Sequence, residues 1–138
     1  MQLRELMTRD VQILTPGSTL GEAAAIMATN NVGMIPIVEN DRPTGVVTDR
    51  DIVVRGLATG ADRTMPVREL MTAGAVTLPE TKDVEEAAKL MESRRIRRVV
   101  AVGSEGEVTG VVSLGDLVCK GVGHERSGAV LSKVCEPA

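Results

Sequence analysis

The amino-acid sequence predicts an α/β fold made of one unit written twice, with the two copies packed sheet to sheet. The string RELMT occurs at residues 4–8 and again at residues 68–72, and further matches follow in the same order. Each copy contains short apolar runs that predict strands and apolar residues at helical spacing that predict helices. Because half of a 138-residue chain is small for an independent core, the two copies are expected to fold together.

The two copies align along most of their length. Residues 19–24 align with residues 83–88, and residues 36–38 align with residues 100–102, at a constant offset of 64. After one inserted residue, the string TGVVT at residues 44–48 aligns with TGVVS at residues 109–113. Asp51 then aligns with Asp116. This ordered series of matches indicates an internal duplication.

Each copy begins with a short strand and a helix. Residues 11–15 and 75–78 are β-branched runs beside a proline, which favours strands. Thr19 with Glu22, and Asp83 with Glu86, have the spacing of a capping box, in which the first side chain caps the amide three residues on. Apolar residues at helical spacing follow both pairs, so helices are predicted to begin there.

Two further strands and a second helix complete each copy. Residues 34–38 and 99–102 are continuous apolar runs, as expected for strands buried on both faces. Turns are predicted at residues 39–43 and 103–107, third strands at 45–48 and 110–113, and second helices from Asp49 and Leu114. The predicted order is β-α-β-β-α in each copy.

These elements predict a first repeat at residues 1–58, a linker at 59–66, a second repeat at 67–122 and a tail at 123–138. Within the tail, residues 128–135 carry Val130, Leu131 and Val134 at helical spacing, which predicts a short amphipathic helix. That helix could cover the module or meet a partner. His124 is predicted to lie in a solvated loop before it.

Composition argues against several classes of function. A net charge of −3 and the absence of Phe, Tyr and Trp argue against a nucleic-acid binder, which needs basic surface and often aromatic platforms. No secretory signal and no apolar run of membrane-spanning length are present, so a cytoplasmic protein is expected. One His and no catalytic triad or phosphate-binding glycine loop predict no enzyme. Cys119 and Cys135 are interpreted as reduced thiols, with a disulfide as a minor alternative.

A hydroxyl residue followed by Asp recurs at the turn between the third strand and the second helix. The pairs are Thr48 with Asp51 and Ser113 with Asp116. A carboxylate at such a turn can accept hydrogen bonds from two vicinal ribose hydroxyls, and the hydroxyl and helix amides favour a phosphate. The same residues could instead simply cap the helix. The spacing leaves both readings open.

Taken together, RELMT, the EAA helices, the strands ending IPIV and VVAV, and the GVV[TS]xxD turns resemble tandem cystathionine-β-synthase-type (CBS) domains, also called a Bateman module. The resemblance spans residues 3–120. It implies a regulatory module that binds AMP, ADP or ATP, with NAD and S-adenosylmethionine as further possibilities, and that requires no cofactor. It implies ribose contacts from Asp51 and Asp116, with Thr48 and Ser113 beside the phosphate. It also implies a homodimer that acts on a partner protein the sequence does not identify.

Four arginines occur in the five residues 94–98. By the resemblance, Arg97 and Arg98 would contact the phosphate of the ligand held by Asp51. Because Gly33 and Met34 replace this pair in the first repeat and Gly115 replaces Arg50 in the second, the cleft of Asp116 would receive only Arg50. Two unequal clefts between the repeats are therefore predicted, with phosphate-bearing ligands preferring the Asp51 cleft. Arg94 and Arg95 are interpreted as a solvated basic face.

Without aromatic side chains, an adenine base must be held by aliphatic walls and backbone groups. The candidates for the walls, each of which could equally be a core residue, are Ile13, Thr15, Pro16, Ile35, Pro36, Thr77, Pro79 and Val99. Two other functions remain open. One is a dimeric interaction scaffold that uses no ligand, and the other is a nucleic-acid binder acting through residues 94–98.

Overall fold

The computed structural model describes residues 1–136 and divides them into two compact units. The repeat-1 unit comprises residues 12–75, and the repeat-2 unit comprises residues 1–11 and 76–136. Each unit holds a three-stranded sheet with helices packed on it, so the predicted α/β class is confirmed.

The repeat-1 unit begins with helix α1, Leu20–Asn30, which is followed by the antiparallel strands β1, Met34–Glu39, and β2, Arg42–Thr48. A π-helix, Asp51–Gly56, and a 3-10 turn, Leu57–Thr59, come next. After a second 3-10 turn, Val67–Glu69, strand β3, Thr72–Ala73, pairs antiparallel with β2. The core is aliphatic throughout and includes Leu20, Ile35, Ile37, Val47, Val67 and Leu70.

The repeat-2 unit starts with a 3-10 turn, Leu3–Glu5, and resumes with strand β4, Thr77–Pro79, and helix α2, Val84–Arg94. Strand β5, Arg98–Val102, lies between β4, which is parallel to it, and β6, Val108–Ser113, which is antiparallel. The short helix α3, Leu114–Asp116, continues into a π-helix, Leu117–Gly121, and helix α4, His124–Val134, follows.

The two compact units exchange their RELMT segments. Leu3 and Leu6, from the start of the first repeat, are buried in the core of the repeat-2 unit. Val67 and Leu70, from the start of the second repeat, are buried in the core of the repeat-1 unit. Each unit is therefore completed by a segment that the alignment assigns to the other copy.

A glycine in each TGVV string permits this exchange. A Cβ on Gly45 would lie 2.5 Å from the carbonyl oxygen of Thr72, and a Cβ on Gly110 would lie 2.8 Å from the carbonyl oxygen of Thr8. No side chain fits at such a distance from backbone. Close packing against backbone therefore explains why both copies carry glycine at this position.

Several predicted elements differ from those observed. Residues 11–15 form no strand beyond one bridge, from Leu14 to Ile37. Strand β2 begins at Arg42, inside the predicted turn. His124 is not in a loop but opens α4, which starts four residues before the predicted helix. Strand β2 extends to Arg42 because that residue pairs with Glu39 across the turn, whereas α4 is held by Val130 and Val134, which are buried in the repeat-2 core.

The capping box is confirmed at Thr19 and is wrong at Asp83. The Thr19 hydroxyl accepts the Glu22 amide at 3.1 Å, and the Glu22 carboxylate accepts the Thr19 amide. Asp83 instead caps the amide of Glu85, two residues on, at 2.9 Å. The Glu86 carboxylate does not reach back to the Asp83 amide and lies 3.7 Å from the Lys82 ammonium instead.

No helix within residues 1–136 has the length and apolar character needed to cross a bilayer.

Candidate functional site

Thr48 and Asp51 form a reciprocal cap where β2 ends. The Thr48 hydroxyl accepts the Asp51 amide at 3.1 Å, and Asp51 Oδ2 accepts the Thr48 amide at 3.0 Å. The other carboxylate oxygen, Oδ1, lies 3.8 Å from an Arg55 guanidinium nitrogen. The carboxylate is nearly buried and already holds the turn in place. The capping reading left open by the sequence is therefore realised here.

Ser113 and Asp116 form the same reciprocal cap where β6 ends. The Ser113 hydroxyl accepts the Asp116 amide at 3.1 Å, and Asp116 Oδ2 accepts the Ser113 amide at 2.9 Å. Among the described residues, Asp116 Oδ1 has no hydrogen-bond or ion-pair partner, and the residue is half-buried. This oxygen can accept ligand hydroxyls while the other keeps the cap intact.

The two turns differ in whether a second carboxylate lies beside them. In the repeat-1 unit, the Arg50 amide donates to Asp49 Oδ1 at 2.8 Å, which adds a negative charge beside the turn. In the repeat-2 unit, Leu114 stands at the position of Asp49 and brings no carboxylate. The repeat-2 turn is therefore the more favourable of the two for an anion.

A groove of about 330 Å³ opens at the repeat-2 turn. It brings together two of the predicted phosphate ligands, Arg97 and Arg98, with a third, Ser113. Strand pairing accounts for this, because Arg98 lies opposite Ser113 in the β5–β6 ladder and the Arg97 carbonyl accepts the Leu114 amide at 2.7 Å. The remaining lining consists of Leu114, Gly115, Val118 and Leu131.

A second groove, of about 380 Å³, opens at the repeat-1 turn. Arg50 and Asp51 line it together with Arg55, Val54 and the edge strand β3. Gly33 and Met34 stand where the repeat-2 unit has Arg97 and Arg98, so this groove has no arginine pair on its strand side. Within its own unit, the arginine pair therefore lies beside the Ser113–Asp116 turn, and the preference of phosphate-bearing ligands for the Asp51 cleft stays a prediction.

The residues predicted to line the base pocket fall into a buried group and a more accessible group. Ile35 and Val99 are fully buried in the two aliphatic cores, and Pro36 is buried on β1, so their side chains present no surface to a ligand. The more accessible candidates are Ile13, Thr15, Pro16, Thr77 and Pro79. Thr15 is held in a turn with Ser18, whose hydroxyl accepts the Thr15 amide at 3.1 Å.

Sequence reasoning missed two contributors to the grooves. Arg55 lies one helical turn from Asp51 and also donates to the carbonyl oxygens of Leu70 and Met71, at 3.4 and 3.3 Å. Its i,i+4 spacing from Asp51 could have revealed it. Leu131 reaches the other groove from α4, and no local pattern indicates that contact.

The other residues singled out from the sequence lie at the surface. Arg94 and Arg95 are exposed, and Arg95 lies 3.8 Å from Glu136. Cys119 and Cys135 are exposed free thiols, and Cys135 Sγ lies 4.0 Å from an Arg97 nitrogen. Residues 1–136 contain no group of three or more His, Cys, Asp or Glu side chains placed to hold a metal ion.

Comparison with known proteins places these turns in a family. The CBS domain model matches residues 3–57 and 67–121. The uncharacterized protein YlbB of Bacillus subtilis is 39% identical over 137 residues, which cover 98% of this chain and 92% of YlbB. An inosine-5'-monophosphate dehydrogenase of Methanocaldococcus jannaschii is 32% identical over 115 residues, which cover 83% of this chain but only 22% of that enzyme.

A solved structure of a CBS domain protein also matches this chain. The CBS domain protein PAE2072 from Pyrobaculum aerophilum, complexed with AMP, superposes with a TM-score of 0.79 at 31% identity, and the match covers 97% of this chain and 98% of that one. The matching family model, the full-length relatives and the shared fold lead to one conclusion: this chain belongs to the CBS domain family, as a pair of CBS domains.

Proposed function

We propose that this protein is a non-enzymatic regulatory module that binds an adenine nucleotide, AMP, ADP or ATP, at the strand-to-helix turns of its two repeats. One observation carries the proposal: Arg97, Arg98 and Ser113 line the groove at the repeat-2 turn, and Asp116, which caps the same turn through Oδ2, keeps Oδ1 without a partner among the described residues. Arginine forks bind phosphate, and a carboxylate binds vicinal hydroxyls, so one turn offers groups for both halves of a nucleotide's polar surface.

Two further facts support it. The groove volumes, about 330 and 380 Å³, fall at the lower end of the range of small-molecule sites, roughly 300–1,000 Å³. The AMP-complexed PAE2072 is 31% identical to this chain over nearly the whole length of both. S-adenosylmethionine carries no phosphate and would leave the arginines without an anion. NAD remains an alternative that the titration below distinguishes.

The test is a calorimetric titration with AMP, ATP, NAD and S-adenosylmethionine. Protein concentration is measured by refractive index because the chain has no Trp or Tyr. The variants are Asp51→Asn and Asp116→Asn, since an amide oxygen can still accept the capping hydrogen bond while the charge is lost. Saturable binding of AMP or ATP, weakened at least tenfold by one of these variants, supports the proposal. Binding that neither variant changes overturns the site.

The arginine pair needs its own variant. Arg97→Ala with Arg98→Ala should weaken phosphate-bearing ligands, and Arg94→Ala serves as the control because it is an equally exposed neighbour outside the groove. The prediction from the family resemblance, that both arginines serve the Asp51 ligand, is tested in the same series. If the arginine pair and Asp51→Asn abolish the same binding step, that assignment holds. If the pair acts with Asp116→Asn, the ligand lies within the repeat-2 groove.

An interaction scaffold is the second candidate, and the caps favour it. Both Asp51 and Asp116 have a structural task that accounts for their repetition without any ligand. If none of the four compounds binds at millimolar concentration, the scaffold is the function to pursue. We further propose that the protein is a cytoplasmic homodimer whose partner protein responds to the occupied sites.

A further inference from the structure

Helix α4 is held firmly beside the groove of the repeat-2 unit. Its residues Val130 and Val134 are buried in that unit's core, and Arg126 pairs with two acids of α2. The Ser127 hydroxyl donates to the carbonyl of Val118, a residue that lines the groove, at 3.3 Å. A helix fixed by core packing, ion pairs and this hydrogen bond presents its remaining side chains in defined positions.

Leu131 is the side chain of α4 that lines this groove. It exposes 40% of its surface, whereas Val130, the residue before it, is fully buried. One turn further along the chain, Cys135 Sγ lies 4.0 Å from a guanidinium nitrogen of Arg97, which also lines the groove. The helix therefore places an accessible apolar side chain next to an arginine of the proposed phosphate site.

The groove has a polar side and an apolar side. Two arginines and Ser113 form the first, and Val118 and Leu131 belong to the second. Because all of them line one groove, a ligand whose phosphate lies on the arginines brings its remaining atoms against the apolar side. The chain has no aromatic residue, so only aliphatic side chains can contact the face of a base. Ile35 and Val99, two of the predicted base contacts, are fully buried and leave this role to accessible residues.

We propose that Leu131 determines base specificity in the repeat-2 groove: it packs on the face of the adenine and makes the groove prefer a nucleotide to a sugar phosphate without a base. This inference rests on the proposed nucleotide binding. The CBS domain matches end at residue 121, so the contact comes from a helix that lies outside them. The repeat-1 groove has only Val54 and Ala73 as apolar lining, and the described residues supply no such helix to it. Selection by the base is therefore assigned to the repeat-2 unit.

The first test compares AMP with ribose 5-phosphate, which lacks the base, in calorimetric titrations of the wild type, Leu131→Ala and Leu57→Ala. Leu57 is the matched control because it is also an exposed leucine, 58% accessible, and lines neither groove. Leu131→Ala should weaken AMP at least about threefold, because apolar contact with the base is lost, and should leave ribose 5-phosphate within about twofold. Leu57→Ala should change neither ligand. Far-UV circular dichroism verifies that each variant is folded.

The second test reverses the sign of the effect. Leu131→Trp adds an aromatic platform for the base and should tighten AMP at least about fivefold without tightening ribose 5-phosphate. Because the chain has no Trp of its own, the fluorescence of this variant reports the groove directly and should change with saturation by AMP. In Leu57→Trp, the fluorescence should not respond.

The outcomes separate this inference from the proposed function. A wild type that binds no AMP overturns the proposed nucleotide binding and this inference with it. A wild type that binds AMP, with Leu131→Ala weakening AMP and ribose 5-phosphate equally or weakening neither, overturns the role of Leu131 alone. If Leu131→Ala fails to fold, Leu131→Trp decides: a fluorescence that AMP does not change places the base elsewhere.

Discussion

Replacing Gly110 by alanine tests the docking of the first RELMT segment on β6. The new Cβ would lie 2.8 Å from the carbonyl oxygen of Thr8 and 2.7 Å from the sulfur of Met7. Thr8 is bound in both directions to Val111, through hydrogen bonds of 2.9 and 3.1 Å. The methionine can move, but the backbone oxygen can move only if these two bonds lengthen.

The size of the effect follows from these contacts. Overpacking costs about 1–3 kcal/mol, and each weakened hydrogen bond adds about 0.5–1.5 kcal/mol. We expect Gly110→Ala to lower the free energy of unfolding by about 2–4 kcal/mol, a large share of the roughly 5–15 kcal/mol of a typical domain. At roughly 4 °C per kcal/mol, the midpoint of thermal unfolding should fall by about 10 °C.

The assay is thermal unfolding followed by far-UV circular dichroism, with Gly128→Ala as the control. Gly128 lies inside α4, and a Cβ there meets nothing within 4 Å, so alanine should stabilise the helix by about 0.5–1 kcal/mol. Gly45→Ala should resemble Gly110→Ala, because its Cβ would lie 2.5 Å from the Thr72 carbonyl oxygen. The reasoning is refuted if Gly110→Ala unfolds within about 2 °C of the wild type while Gly128→Ala is stabilised.

Three further predictions follow from single contacts. Arg126→Ala should destabilise the protein by about 1 kcal/mol in urea unfolding, since the partly exposed ion pairs with Glu85 and Glu92 are screened by solvent. The pKa of Asp83 lies below its usual value because its carboxylate accepts the Glu85 amide and pairs with the N-terminal ammonium. Its stabilisation is present above the unfolded pKa, about 3.9, and is lost as pH falls through the lower folded value, so wild type and Asp83→Asn should converge in unfolding temperature below about pH 4. Gly115→Glu should fold normally, because a Cβ there meets only a hydroxyl at 3.6 Å, but should weaken AMP binding at the repeat-2 groove in the titration, because the added carboxylate repels the phosphate.

Local sequence patterns were sufficient to predict most of the helices and strands of each copy. Apolar runs predicted the central strands at residues 34–38 and 99–102, and β1 and β5 cover both. Thr19 marked the start of α1 because a hydroxyl cap acts over only three residues. The strand predicted at residues 11–15 failed because most of its backbone finds no neighbouring strand, and only Leu14 bridges to Ile37. Whether a β-branched run becomes a strand depends on what lies beside it.

The residues of the candidate site were predicted from the sequence, but which of them lie next to one another was not. Thr48 with Asp51, and Ser113 with Asp116, were visible as spaced pairs, and spacing could not distinguish a cap from a ribose contact. The structure shows the caps directly. It also shows Arg97 and Arg98 beside Ser113, a grouping that depends on the β5–β6 register and therefore on pairing between separate segments.

The sequence by itself determined that this protein is a duplicated α/β module, because a repeat, a hydrophobic period and a helix cap are all written within a few neighbouring residues. Only the tertiary structure decided that the RELMT segments are exchanged between the units, that α4 packs on the core of the repeat-2 unit, and that Leu57 remains exposed. These features depend on contacts between segments far apart in the chain. A burial pattern read along one segment carries no information about which distant segment completes it.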